Sequence, residues 1–252
     1  MWFSLLSAPS AAASGRMQAV LRPSLDNSRG YIVKQAVALT VVLLGLMLAP
    51  LAAFAQTGAA SAPGTAAGGK TILAFGDSLT AGYGLKDKNL ALPAQLQGLL
   101  AAQGLPVTVI NAGVSGDTTA GGLRRLEWTL KRYNPDYVIL ALGGNDMLRA
   151  VDPRTSLQNL QAMLEILKTY KKPVLLAGMK APQSMGPAFA KGYDLMYSGL
   201  AREYGTVYYP FLLEGVAANA SLNLPDGVHP NADGVAVIAR GIYPYVIELL
   251  KK

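Results

Sequence analysis

The chain has 252 residues, no cysteine, one histidine and a formal charge of +7 at pH 7. Those facts exclude disulfides, thiol catalysis and a lipoprotein anchor on cysteine. The basic excess is mild, and no lysine–arginine run interleaved with aromatics points to nucleic acid.

The chain opens with an export pattern. Arg16, Arg22, Arg29 and Lys34 precede a weakly polar to apolar stretch, Ala36 to Pro50. Ala53-Phe54-Ala55 then puts small residues at the two positions a signal peptidase inspects. Residues 1–55 are therefore predicted to be a signal peptide cleaved before Gln56, with Met17 as an alternative start. No adjacent arginine pair precedes the apolar core, so the general secretory route is expected, delivering a periplasmic or secreted protein. A retained membrane anchor is the alternative, because Ala36 to Ala55 approaches the roughly 20 residues that span a bilayer. Cleavage would remove four basic residues together with Asp26 and lower the charge from +7 to +4. An excess of that size suits a solvated surface and leaves transient contact with membrane or anionic lipid open. Residues 56–69 are alanine, glycine, serine, threonine and proline with little else, the composition of a flexible linker.

Residues 70–252 alternate between two periodicities. Apolar runs at Thr71–Phe75, Val107–Ile110, Tyr137–Leu142, Val174–Ala177 and Val207–Tyr209 are short, and most are rich in β-branched or aromatic residues, as strands are. Between them, Leu123, Leu126, Leu130 and Tyr133 fall on one helical face, and so do Leu157, Leu160, Leu164 and Leu167. Thr155 and Gln158 form a capping-box pattern for the second of these helices. A last helix is predicted from about Ala232, with Val235, Ile238, Ile242 and Leu249 as its buried stripe and a kink at Pro244. No internal repeat interrupts the alternation. The expected fold class is α/β, a three-layer α/β/α sandwich around a five-stranded parallel sheet.

Chemistry gathers after the strands. Gly76-Asp77-Ser78-Leu79 follows the first, Asn111-Ala112-Gly113-Val114-Ser115-Gly116-Asp117 the second, and Gly143-Gly144-Asn145-Asp146 the third. Ligands of open α/β sheets bind at that edge. Glycine lets a backbone amide face a ligand closely, and an asparagine amide is a neutral donor for charge growing on a carbonyl oxygen. The only histidine, His229, lies in Asp226-Gly227-Val228-His229-Pro230-Asn231. Imidazole takes and returns a proton near neutral pH, and a carboxylate three residues away can hold one of its nitrogens. Serine, acid and base thus occur in the order Ser78, Asp226, His229. The Asp-x-x-His spacing alone serves an ordinary loop or cap equally well, and each glycine segment alone is also ordinary turn chemistry.

The four blocks together resemble the SGNH, or GDSL, hydrolases. Ser78 in Gly-Asp-Ser-Leu, Gly113, Asn145 in Gly-Gly-Asn-Asp and His229 in Asp-Gly-Val-His match the four letters of that name. Residues 72–84, 111–118, 142–148 and 226–231 look like the bacterial acyl-CoA thioesterase I and arylesterase branch, and the likeness spans Lys70 to Lys252. Thr80 is one departure, where many relatives carry serine.

The resemblance implies Ser78 as nucleophile, His229 as general base and Asp226 as its orienting acid. It places the oxyanion hole on the amides of Ser78 and Gly113 with the Asn145 side chain. It also implies a flavodoxin-like strand order 2-1-3-4-5, an acyl-enzyme on Ser78, a small-molecule ester or thioester substrate, and no metal or other cofactor. Lysophospholipids fall within that substrate range.

Asp77 and Asp146 are expected to be turn or cap residues, and Asp117 a helix N-cap. The loop from Gly178 to Pro187 carries Met179 and Met185, either to wall an acyl chain or to pack the loop; Phe211, Leu212 and Leu213 pose the same choice. Two other readings remain: an O-acetylesterase or acyltransferase acting on cell-envelope carbohydrate, and a non-catalytic binding module. A pure binder has no reason to keep all five site residues. Nothing in the sequence sets an oligomeric state.

Overall fold

Each of the five apolar runs becomes a strand, and all five pair in parallel in the order β2-β1-β3-β4-β5. The computed structural model describes residues 69–252; the predicted leader and the linker up to residue 68 lie outside them. The strands are β1 (Lys70–Gly76), β2 (Val107–Gly113), β3 (Tyr137–Ala141), β4 (Val174–Ala177) and β5 (Val207–Tyr209). The central β1, β3 and β4 are buried almost without interruption, as strands covered on both faces must be.

Seven helices flank the sheet among the described residues: α1 (Ser78–Ala81), α2 (Leu92–Ala102), α3 (Thr119–Tyr133), α4 (Gly144–Leu148), α5 (Pro153–Thr169), α6 (Pro187–Tyr204) and α7 (Ala232–Leu249). One outer layer pairs α2 with α7; the other packs α3, α5 and α6 side by side. The predicted faces are the buried ones. Leu126 and Leu130 of α3, Leu160, Leu164 and Leu167 of α5, and Val235, Ile238, Ile242 and Leu249 of α7 all enter the core. No described helix is long and apolar enough to cross a membrane.

Three local expectations are corrected. Helix α5 begins one turn earlier than the Thr155–Gln158 pattern implies. Asp152 caps it by accepting from the Arg154 amide at 2.8 Å, and Pro153 supplies the preset φ of a first helical position. Thr118, not Asp117, caps α3, accepting from the Gly121 amide at 3.2 Å. Strand β2 also extends past Ile110 to Gly113, because the sheet registers Ala112 and Gly113 against Phe75 and Gly76.

The chain leaves β1 toward β2 on one side and returns to place β3 on the other. The strand order reverses there, so the loops after β1 and β3 diverge and leave a crevice at the carboxyl edge. Ser78 follows β1 and Asn145 follows β3.

Candidate active site

Ser78 is the first residue of α1 and is 8% exposed. Asp77 caps this single turn, accepting from the Leu79 amide at 3.0 Å, and Gly82 closes it with φ +72. Gly76 cannot carry a side chain, because a Cβ there would overlap the Thr80 hydroxyl and lie 2.7 Å from the Ala141 carbonyl oxygen. The strand therefore turns directly into the helix and presents the serine at the crevice.

His229 arrives from the far end of the chain in a turn fixed from both sides. The Leu224 amide donates to its carbonyl at 2.7 Å, and Asn231 caps α7 two residues later. Asp226 Oδ1 accepts from the amides of Val228 and His229 at 2.9 and 3.0 Å, while its Oδ2 lies 2.7 Å from His229 Nδ1. The two backbone amides, then the imidazole, hold the Asp226 carboxyl down at about 2. Asp226 is thus ionised at neutral pH and can only accept, so His229 Nδ1 carries a proton toward it, and in the neutral imidazole Nε2 keeps its lone pair. That nitrogen lies 2.9 Å from Ser78 Oγ, which donates to it. The Tyr83 ring covers the imidazole at 4.5 Å between centroids. Tyr83 lies in the 72–84 block, but no spacing there ties it to His229.

Asn145 is the second residue of α4, reached through Gly143 at φ +118, where a Cβ would overlap the Tyr197 hydroxyl. Its Nδ2 donates one hydrogen to Asp77 Oδ2 at 3.3 Å; the amide's other hydrogen remains for the cavity that Asn145 lines.

Asp77 and Asp146 are more than turn residues. Asp77 does cap α1, but it is buried and also carries Asn145, and burial pushes its carboxyl up to about 6 against the pull of Leu79, Asn145 and His229. Asp146 is buried and accepts from the Thr119 amide, the Thr119 hydroxyl and the Ser156 hydroxyl, tying α4 to α3 and α5.

Gly113 does not reach the site. Its amide donates to Asn111 Oδ1 at 3.0 Å, and its α-carbon is pressed against the Ala81 backbone. The glycine of this segment that lines the cavity is Gly116, at φ +80 in the turn where the Asp117 amide donates to the Val114 carbonyl. Arg149 Nη2 donates to the Gly116 carbonyl at 3.0 Å, which fixes that peptide from outside. Among the described residues no acceptor takes the amides of Ser78 or Gly116. The free donors along the cavity that holds Ser78 therefore include those two amides and Asn145 Nδ2.

The cavity beside Ser78 holds about 190 Å³ and is walled mainly by Met147, Leu148, Met179, Leu213 and Val228. A second concavity of about 400 Å³ shares those five residues and continues over Phe211 and Pro182, making one apolar trough. Met179 and Leu213 thus belong to the trough, whereas Leu212 is core and Met185 lines neither cavity. Among the described residues no group of three or more histidine, aspartate or glutamate side chains gathers as a metal site.

An ionised carboxylate, an imidazole and a serine hydroxyl in line beside an apolar cavity define the class, a serine hydrolase of α/β/α architecture. Comparison with known proteins narrows it. The GDSL-like lipase/acylhydrolase family matches residues 74–237. Esterase TesA of Pseudomonas aeruginosa is 36% identical over 184 residues, 73% of this chain and 91% of that protein. The Thioesterase 1/protease 1/lysophospholipase L1 of Escherichia coli is 36% identical over 174 residues, 69% of this chain and 82% of the relative. A solved structure, AlinE4, a SGNH-hydrolase family esterase, is 44% identical with a TM-score of 0.61, covering 72% of this chain and 97% of that one. The chain belongs to the GDSL-like lipase/acylhydrolase family and is a serine hydrolase acting on ester bonds.

The raised carboxyl of Asp77 gives the fold a distinct pH dependence. A folded-state value of about 6 against 3.8 means the native state holds this proton more tightly than the unfolded chain does. The resulting stabilisation is complete below pH 3.8 and is lost as pH rises through 6. Relative to Asp77→Asn, which has no such group, the native protein should therefore lose up to about 3 kcal/mol between pH 4 and 7. Urea unfolding of both proteins across that range measures it. A stability difference that stays flat with pH would contradict the burial of this carboxylate.

Proposed function

We propose that the protein hydrolyses esters or thioesters of medium to long acyl chains through an acyl-enzyme on Ser78. In this reading His229 Nε2 takes the Ser78 proton as Oγ attacks the acyl carbonyl. Asp226 stabilises the imidazolium that forms, and the Ser78 and Gly116 amides with Asn145 Nδ2 receive the negative charge growing on the carbonyl oxygen. The imidazolium returns the proton to the leaving oxygen or sulfur, and water then repeats the attack on the acyl-enzyme. The observation that carries the reading is the continuous hydrogen-bond chain from Asp226 through His229 to Ser78, at 2.7 and 2.9 Å.

The acyl class rests on the trough. Its walls are apolar from Met147 to Phe211, with room well beyond an acetyl group. An aryl, thiol or glycerol leaving group would lie on the open side, near Tyr83. Leu148 and Val228 are exposed at the mouth, and Tyr83 and Val114 stand exposed beside the site, a rim suited to brief contact with lipid assemblies. An exported location belongs to the same reading. Its support is the apolar run Ala36 to Pro50 followed by Ala53-Phe54-Ala55.

Chain length gives the test of substrate class. Each methylene buried in the trough contributes up to about 0.8 kcal/mol, or about fourfold in kcat/KM. With p-nitrophenyl esters, kcat/KM should rise from acetate toward octanoate and then level off as the trough fills. Acetate as the best substrate, with steady decline on lengthening, would overturn this class and favour the O-acetylesterase reading. For the export reading, intact mass of protein from the native host should show a mature N-terminus at Gln56. A full-length chain released only by detergent would instead establish the anchored form.

A further inference from the structure

Helix α3 carries a cation on its buried face. Arg125 falls between Gly122 and Thr129 at spacings of three and four, and both of these are buried. Its side chain is 22% exposed, so the guanidinium is largely withdrawn from water. A charge so placed requires compensation, and each of its three nitrogens has found an acceptor.

Those acceptors lie on two separate stretches of the chain. Nε donates to Asp117 Oδ2 at 2.7 Å, Nη1 to the Ala112 carbonyl at 2.9 Å, and Nη2 to the Gly76 carbonyl at 2.9 Å. The guanidinium also lies 3.9 Å above the Phe75 ring, which fixes its plane. Gly76 immediately precedes Asp77 and Ser78. Asp117 immediately follows Gly116, and Ala112 is the penultimate residue of the strand that leads into that turn. One rigid fork therefore spans the two segments that bring Ser78 and Gly116 to the same cavity. The Val114 amide donates to the same Gly76 carbonyl at 3.0 Å.

We propose that Arg125 is a positioning residue for the oxyanion hole, setting the Gly116 amide against the Ser78 amide without touching substrate. The proposal rests on the reading of Ser78 as nucleophile. It follows from geometry rather than charge. A lysine is a point charge on a flexible stem and cannot hold three acceptors in one plane, so it cannot replace the fork. Displacing a hydrogen-bond donor by about an ångström costs on the order of 10² in rate, because the charge it meets exists only in the transition state. Ground-state binding in the trough is untouched by such a shift, so the loss belongs to kcat and not to KM.

The experiment compares wild type, Arg125→Lys, Arg125→Ala and Asp117→Asn on p-nitrophenyl butyrate, at a temperature where circular dichroism shows each to be folded. Arg125→Lys and Arg125→Ala should lose about 10²-fold in kcat with KM within about twofold of wild type. Asp117→Asn, which frees the turn while leaving the guanidinium, should lose less in the same direction. Added methylguanidinium should partly restore kcat in Arg125→Ala in a saturable manner, and ethylammonium should not; a purely structural role gives no such rescue. If Arg125→Ala does not fold, the other two variants carry the comparison. Folded variants with kcat within about twofold of wild type, or a loss confined to KM, would overturn the proposal. Wild type inactive on every ester would overturn the nucleophile reading itself; active wild type with unaffected variants overturns this inference alone.

Discussion

The hydrogen bond from Ser78 Oγ to His229 Nε2 joins residues 151 positions apart, and it closes only when the whole sheet is in place. Its two ends are delivered by different devices. The serine comes from a strand that passes into a helix across a glycine with no room for a side chain. The histidine comes from a turn held by the Asp226 carboxylate, the Leu224 amide and the cap of α7. Asp226 has two tasks here. Its Oδ1 organises the turn through two backbone amides, and its Oδ2 sets the tautomer of the imidazole. The same amides that keep it ionised therefore also keep His229 Nε2 free to accept. Asp226 is well exposed, with a side chain 40% accessible, so local hydrogen bonding rather than burial fixes its charge.

Behind the reacting atoms lies a second set of carboxylates under opposite conditions. Asp77 and Asp146 are buried, and each holds one side of the short helix that carries Asn145. A buried carboxylate is costly unless its acceptor sites are filled. Asp146 has three donors and joins three helices. Asp77 accepts from the Leu79 amide and Asn145 Nδ2, and burial pushes its carboxyl up to about 6. Some stability at neutral pH is thus exchanged for a fixed donor, a trade common where a site must be preorganised. Arg125 applies the same logic on the other wall, with a buried cation in place of a buried anion.

The sequence disclosed the architecture well, because parallel strands covered on both faces are continuous apolar runs and helices are 3.6-period stripes. Two strands agree with the structure residue for residue, Val174–Ala177 and Val207–Tyr209. Ser78, Asp226, His229 and Asn145 were legible as well, each being a reactive side chain beside a strand end or turn. What escaped was anything decided by backbone direction. The segment Asn111 to Asp117 has two glycines, and only the register that carries β2 through Gly113 moves the turn, and the free amide, to Gly116. Asp117 looked like a cap because it precedes a helix, yet Thr118 takes that place and frees the carboxylate for Arg125. Arg125 lies off the Leu123, Leu126, Leu130 and Tyr133 stripe, and two of its three acceptors are backbone carbonyls, which have no sequence signature. Tyr83 depends on a ring contact across the fold that no spacing encodes.

In the proposed reaction the oxyanion hole consists of the Ser78 amide, the Gly116 amide and Asn145 Nδ2, facing a serine activated by His229. A crystal structure of the enzyme after reaction with an alkyl fluorophosphonate tests this most directly, since the phosphonyl oxygen stands where the oxyanion would be. The expected result is a phosphorus bonded to Ser78 Oγ, with that oxygen about 3 Å from all three donors and the alkyl chain in the trough between Met179 and Val228. A phosphonyl oxygen held by the Gly113 amide, or turned toward His229 with Gly116 and Asn145 unused, would contradict the account.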